Sequence, residues 1–151
     1  MYKNLCPYLQ IIMPTKNELK GLAKLRLKEA ETLYNEGLYD GAVYLCGYVI
    51  EFALKARICK LLGINDYPDS GKLKQVYAVH DFDQLLLLAG LKNKLNPADV
   101  DLYTNWLIAT PWKPEMRYKP KGSVSKIEAE EILNAVRDRT DGVLKWIRKY
   151  W

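Results

Sequence analysis

The stretch LYDGAVYLCGYVIEFALKARICKLL, residues Leu38–Leu62, decides the fold of this chain. It is the longest nearly continuous apolar run, but four charged side chains between residues 51 and 60 make it too polar to cross a membrane. A helix that is apolar on almost every side is typical of the centre of a bundle. We therefore predict that this segment is the central helix of an all-α protein.

One stripe of this predicted helix is polar. At about 100° per residue, six of its residues fall on a single side: Asp40, Tyr44, Gly47, Tyr48, Glu51 and Lys55. Glu51 precedes Lys55 by four positions, which is the favourable order for an ion pair along a helix. Two interpretations stay open. The stripe is the partly exposed side of a core helix, or it lines a groove in which Lys55 offers a cation.

The remaining helices are predicted from their start and stop signals. Capping boxes at Thr15–Glu18 and Ser125–Glu128 mark two helix starts, and Asn96 followed by Pro97 marks a third. We predict an antiparallel up-and-down bundle of four main helices plus a short one, in a domain of residues 16–151 that follows an irregular lead-in over residues 1–15. The helical segments expected around the central one span Lys16–Glu36, Lys72–Ala78, Phe82–Leu91, Asn96–Ala109 and Lys126–Lys149.

The composition sets limits on the chemistry. The formal charge of +5 over 151 residues permits a nucleic-acid or nucleotide partner without requiring one. The three cysteines lack the spacing of metal ligands, and a single histidine excludes a His-based metal site and a two-histidine mechanism within one chain. We expect no metal and no cofactor. Reduced thiols and the absence of a secretion signal predict a cytoplasmic protein without a membrane segment.

Two further features could bind a ligand. The segment Trp112–Lys121 is rich in proline, cations and aromatic rings: Arg117 can grip a phosphate, Lys113 can add charge, and Tyr118 can stack on a base. We expect this segment to fold over the C-terminal end of the central helix and to bring Arg117 towards Lys55. The alternative is a solvated basic loop whose aromatic side chains cover the core.

The second feature is His80-Asp81, at the start of a predicted helix. Asp81 is a good N-cap residue for the helix that begins at Phe82. A lone histidine before a helix is either a structural hydrogen-bonding residue or part of a binding site, and the sequence leaves both open.

These residues, taken in order, resemble the HEPN domain family (higher eukaryotes and prokaryotes nucleotide-binding). The resemblance depends on EGLYDGA at the end of one helix, Glu51-x-x-x-Lys55 on the next, His80-Asp81-Phe82, and Arg117-Tyr118 after a Pro-rich loop. It extends from about Leu19 to Ile147. The resemblance implies an antiparallel helical bundle that commonly dimerises.

Members of this family divide into ribonucleases and noncatalytic domains. The ribonucleases carry an arginine four to six residues before a histidine, but the corresponding positions before His80 are Lys74, Gln75 and Val76. Cleavage of RNA without a metal needs one group to take the 2′-OH proton and another to protonate the leaving oxygen. We therefore expect no ribonuclease activity of the usual family kind.

Three hypotheses follow from the residues and the resemblance. The first is a noncatalytic homodimer that binds a nucleotide or RNA phosphate in a basic, aromatic groove. The second is a protein-interaction partner of a small nucleotidyltransferase in a toxin–antitoxin-type pair. The third is a ribonuclease with a nonstandard site. The candidate ligand-binding residues are Glu51, Lys55, His80, Asp81, Lys113, Arg117 and Tyr118.

Overall fold

The structure, a computed structural model, describes residues 13–69 and 71–151, and this part of the chain is all-α, as predicted. It contains no β-strand in these residues, only an isolated bridge between Thr15 and Asp66. Most of the predicted lead-in, residues 1–15, lies outside the described residues. The described α-helices are α1 (Lys16–Asn35), α2 (Tyr39–Leu62), α3 (Lys74–Tyr77), α4 (Phe82–Leu88), α5 (Val100–Ala109), α6 (Lys126–Arg137) and α7 (Val143–Arg148).

Helices α1 and α2 form an antiparallel pair, and α1 begins at the predicted signal. The capping box of Thr15 and Glu18 is complete, with both reciprocal hydrogen bonds made. Gly37 follows α1 with a φ of 75°, in the left-handed region that glycine adopts without steric cost. The connection between the two helices is therefore only three residues long, and α2 packs back along α1 over most of its length.

Helix α2 is the centre of the bundle, as its apolar sequence predicts. Its buried side chains include Ile50, Ala53, Leu54 and Ile58, each with no exposed surface. The helix packs against α1, α6 and α7, and α4 covers part of its second half. Because this single helix contacts most of the others, its polar stripe lies where several elements meet.

The prediction of one continuous helix over Lys126–Lys149 is wrong. The chain leaves the helix at Asp138, whose carboxylate accepts the backbone N–H groups of Thr140 and Asp141 and so closes a tight turn. Gly142 completes the turn, because a Cβ at this position would overlap the backbone of Asp138. The break lets α7 pack separately against α2 and α6.

The start of α5 also differs from the prediction. Asn96 accepts a hydrogen bond from the N–H of Ala98, which is a local turn, and the helix itself begins three residues later. Asp99 is the N-cap and accepts from the N–H of Leu102. The Asn-Pro signal therefore marks the turn before the helix and not its first residue.

Candidate functional site

The polar stripe of α2 is one continuous face in the structure. The hydroxyls of Tyr44 and Tyr48 lie 3.1 Å apart and share a hydrogen bond. One turn further on, Lys55 Nζ donates to Glu51 Oε1 over 2.8 Å. The face thus presents two tyrosines followed by an ion pair, in the i, i+4, i+7, i+11 order that aligns side chains along a helix.

Glu51 is a buried carboxylate with two partners. Only 1% of the residue is exposed, and while Oε1 binds Lys55, Oε2 lies 2.9 Å from Nδ1 of His80. Lys55 is also buried, and its ammonium lies 5.0 Å from the ring centroid of Tyr67, a cation–π distance. Lys55 is therefore committed to Glu51 and Tyr67 and does not present an exposed cation.

His80 links this buried pair to the surface. Half of its side chain is exposed, while Nδ1 is held by Glu51, 29 residues earlier in the chain. Asp81, the next residue, caps α4 by accepting the N–H of Gln84 over 2.8 Å. The cap fixes the backbone at this point, and Glu51 fixes the ring. Nε2 of His80 has no hydrogen-bond partner among the described residues and remains available to a ligand.

The segment Trp112–Lys121 folds over α2, but not where the sequence analysis placed it. The indole N–H of Trp112 donates to the carbonyl of Tyr44 over 3.0 Å, and the ring lies directly on Gly47. The carboxylate of Asp40 then accepts the N–H groups of Gly122 and Val124, at 2.6 and 2.8 Å. The segment therefore covers the N-terminal half of α2, and the prediction that it covers the C-terminal end is wrong.

Arg117 lies on the outer side of this segment. Its guanidinium is 4.9 Å from the ring centroid of Tyr118, which is 76% exposed. The neighbouring hydroxyls of Tyr118 and Tyr44 raise the pKa of Arg117 further above its ordinary value. Arg117 forms no ion pair with any carboxylate of the described residues. It is a fully charged group held in place by aromatic neighbours.

Tyr48 lies between the two halves of the stripe. Burial is the main cause that raises the pKa of Tyr48 to about 12, and the hydrogen bond with Tyr44 adds to it. The charge of Glu51 also raises this pKa, whereas the charge of Arg117 lowers it. The structure does not bring Arg117 to Lys55: Arg117 lies beside Tyr44, whereas Lys55 is paired with Glu51 further along α2.

A groove of about 860 Å³ opens beside His80. His80, Asp81 and Lys113 all line it, so the structure brings together three candidate residues that are up to 33 positions apart in the sequence. Phe82 and Trp112 stack at its inner side with ring centroids 5.3 Å apart and planes 9° from parallel.

Sequence analysis missed other residues of this groove, among them Lys92, Tyr103 and Trp106. Their positions relative to His80 depend on how α4 and α5 pack, and no local motif encodes that packing. The only available signal was the high density of aromatic residues between positions 103 and 118.

The profile of the HEPN domain matches residues 17–149, which is nearly the whole chain. The chain belongs to the HEPN domain family. Membership of this family indicates a nucleotide- or RNA-related module. HEPN domains are often dimeric. No curated protein and no solved structure is significantly similar to it.

Two features are absent from the part of the chain that the structure describes. No helix there is long and apolar enough to span a membrane. Nor do three or more His, Cys, Asp or Glu side chains cluster in it as the ligands of a metal ion would.

Proposed function

We propose that this HEPN domain binds the phosphate of a nucleotide or of RNA without cleaving it, on a surface centred on Arg117. The supporting observation is the exposed guanidinium of Arg117, which stacks over Tyr118 and has no carboxylate partner among the described residues. A planar guanidinium donates two parallel hydrogen bonds to a phosphate. Its tyrosine neighbours hold it in position, so less side-chain entropy is lost on binding.

The surroundings of Arg117 carry the charge that a phosphate requires. Lys113, Lys119 and Lys121 are exposed on the same segment, against the single acid Glu115. Tyr118 exposes most of its ring, which offers a stacking surface to a base or ribose next to the phosphate. We call the exposed side chains of Lys113, Arg117, Tyr118, Lys119 and Lys121 the basic surface.

The other candidate residues have supporting roles in this proposal. Glu51 and Lys55 are buried and paired, so they hold His80 and do not contact the phosphate themselves. His80 and Asp81 lie on the edge of the neighbouring groove. The binding determinants on the basic surface are Arg117, Tyr118 and Lys113.

The test is a titration of wild type, Arg117→Ala and Arg139→Ala with a nucleoside triphosphate and with a short single-stranded RNA, at one fixed salt concentration. Arg139 is also exposed, on the turn after α6, so its variant removes the same charge away from the basic surface. A charge-assisted contact contributes about 1.5–3 kcal/mol, so Arg117→Ala should weaken binding at least about tenfold. The control should change the affinity less than about twofold.

Two results would overturn the proposal. Equal losses in both variants would mean that only net charge attracts the ligand. An absence of wild-type binding at millimolar ligand would remove the ligand altogether.

One observation favours protein docking as a second candidate function. Leu25, Leu33 and Leu45 line a groove between α1 and α2, and Leu25 is exposed. Such a groove suits either a second copy of this chain, as in the homodimer expected from the sequence, or a nucleotidyltransferase partner. Light scattering of wild type and Leu25→Glu at tens of micromolar tests the homodimer. A monomeric wild type would contradict it, and a dimeric wild type with a monomeric variant would support it.

A further inference from the structure

The end of the bundle where α1 begins and α2 and α7 end has a strong excess of positive charge. Residues 16–28, 52–62 and 142–151 contain five, three and three Lys or Arg residues, and Glu18 is their only acid. Glu18 is already engaged, because its carboxylate accepts the backbone N–H of Thr15 in the capping box. These segments therefore hold eleven cationic side chains against one acid, whereas the formal charge of the whole chain is only +5.

Most of these cations have no acidic partner. Lys55 pairs with Glu51 and Arg26 pairs with Glu29, and both acids lie just outside the three segments. The other nine cations form no ion pair with a carboxylate among the described residues. Because like charges that are not neutralised repel one another, this end of the bundle attracts polyanions.

Three of the cations converge on one aromatic residue, Trp151. Nζ of Lys20, on α1, lies 5.8 Å from its ring centroid, and the guanidinium of Arg148, on α7, lies 5.9 Å from it. Lys60, near the end of α2, donates to the main-chain oxygen of Trp151 over 3.2 Å. The fold thus brings together cations from three helices, and both Lys60 and Arg148 are exposed to solvent.

The ammonium group of Lys20 shows how crowded these charges are. Its pKa is lowered, first by burial and then by the positive charges of Lys16, Lys60 and Lys24. Neighbouring carboxylates would shift this pKa in the opposite direction. We call this set of side chains the Trp151 surface: Lys20, Lys24, Lys60, Arg148 and Trp151.

The composition of the Trp151 surface favours a nucleic-acid backbone over a protein partner. Lysine is depleted from protein–protein interfaces, whereas protein–DNA interfaces are much more positively charged. Sites for single-stranded nucleic acid combine cations with aromatic side chains. Lysines arranged around a tryptophan match the second class and not the first.

The position of the Trp151 surface distinguishes a chain of nucleotides from a single one. Arg117 lies beside Tyr44, and Lys60 follows Tyr44 by sixteen positions on α2, which is about 24 Å along the helix. At about 100° per residue, Tyr44 and Lys60 also face different sides of α2. One nucleotide is too small to contact the basic surface and the Trp151 surface together, but an RNA strand is long enough.

We propose that the Trp151 surface is a second contact for RNA phosphates, at the other end of α2 from Arg117. The inference deepens the proposed function and rests on it in naming RNA as the ligand. A strand of RNA is bound through its backbone by cations of α1, α2 and α7. Trp151 keeps Lys20 and Arg148 next to each other through its cation–π contacts.

The experiment measures how RNA binding depends on salt. Fluorescence anisotropy gives the Kd of a labelled single-stranded RNA of about 20 nucleotides for the full chain at several salt concentrations. On a single strand, each phosphate contact contributes about 0.7 to the slope of log K against log salt concentration. Lys20→Gln/Lys60→Gln should therefore reduce the magnitude of this slope by about 1.4.

Two further variants separate charge from folding. Arg148→Gln changes an exposed side chain and should reduce the slope by about 0.7 without disturbing the packed interior. Lys20→Arg/Lys60→Arg keeps both charges and should retain the wild-type slope.

The matched control is Lys72→Gln/Lys74→Gln. It also removes two exposed charges, but from the segment before α4 and outside the Trp151 surface. The control should leave the slope as in wild type. An equal reduction in the control and in Lys20→Gln/Lys60→Gln would refute the inference, because net charge alone would then explain the binding.

The other outcomes separate this inference from the proposed function. If neither Lys20→Gln/Lys60→Gln nor Arg148→Gln changes the slope while Arg117→Ala weakens ATP binding, the proposed function stands and the inference is refuted. If both Trp151-surface variants reduce the slope while Arg117→Ala weakens neither ligand, the RNA contact at Trp151 stands and the proposed function fails. Polyglutamate that binds as tightly as the RNA, and loses affinity in the same variants, would refute RNA as the ligand and indicate an acidic protein segment.

Discussion

The indole ring of Trp112 lies directly on the backbone of Gly47, so closely that a Cβ at position 47 would overlap the ring. The same indole donates to the carbonyl of Tyr44 and stacks on Phe82. Trp112 therefore contacts α2 and Phe82 at once, and it belongs to the same segment as the basic surface. Because Gly47 has no Cβ, the indole of Trp112 can lie on α2 and hold the segment that carries the basic surface against this helix.

Gly47→Ala should destabilise the protein by about 1–3 kcal/mol, because the new methyl group must displace Trp112 from a packed interior. Urea unfolding followed by tryptophan fluorescence measures both the free energy of unfolding and the environment of the indole.

The matched control for this substitution is Gly21→Ala. Gly21 lies exposed in the middle of α1, and a Cβ there would have no neighbour within 4 Å. Replacing a helical glycine with alanine under those conditions stabilises by roughly 0.5–1 kcal/mol. If the two substitutions changed stability in the same direction, the close approach of Trp112 would not be a feature of the folded protein.

The features of the fold that the sequence predicted are those encoded by local rules. The capping boxes at Thr15 and Ser125 are both present. The break after Arg137 was missed because the apolar spacing continues from α6 into α7, so the pattern looks like one helix. The turn is set instead by the side chain of Asp138 and the missing Cβ of Gly142, which are not part of that pattern.

The candidate site was predictable only in part, for a different reason. The pairing of Glu51 with Lys55 follows from helical spacing alone. The second partner of Glu51, His80, follows from the docking of α4 on α2, and the position of Arg117 near Tyr44 follows from Trp112 fitting over a glycine. Both contacts join residues distant in sequence, and spacing carries no information about them.

The ion pair of Glu51 and Lys55 gives a second prediction. The exposed fractions of their side chains are 2% and 9%, so removing one charge leaves the other buried without its partner. Glu51→Gln should therefore destabilise by about 3–5 kcal/mol. Denaturant unfolding of Glu51→Gln, Lys55→Met and the double variant Glu51→Leu/Lys55→Met measures this.

The double variant is the discriminating measurement. Because an apolar pair has no buried charge to desolvate, it should recover most of the stability lost in the single variants. Additive losses in the double variant would show that the two charges act independently and that the pair is not buried in solution.

Alkaline conditions give a third prediction. Burial raises the pKa of Tyr48 to about 12 and raises the pKa of Tyr67 further, while an unfolded tyrosine titrates near 10. The unfolded state thus loses its protons first, so the free energy of unfolding should fall as the pH rises from about 10 through 12, in addition to a fall that the buried thiol of Cys46 causes from about pH 8.5. The measurement is urea unfolding between pH 8 and pH 12.

Tyr48→Phe should make that decline shallower, since one of the groups that titrate differently in the two states is gone. Some decline should remain from Tyr67 and from Cys46, because burial also raises the pKa of that thiol to about 12. A slope that Tyr48→Phe leaves unchanged would contradict the prediction.

The last prediction concerns RNA cleavage. Attack of a 2′-OH on the neighbouring phosphate needs a base for the hydroxyl proton and an acid for the leaving oxygen. His80 is the only histidine in the chain, and the residues four to six positions before it are Lys74, Gln75 and Val76, so the family's arginine is missing. We expect the protein not to cleave labelled single-stranded RNA in the presence of a chelator. The rate of RNA cleavage should be no faster than in a sample without protein. Cleavage by wild type that His80→Ala abolishes would show that the Glu51–His80 pair moves protons, and the domain would then be a ribonuclease with a nonstandard site.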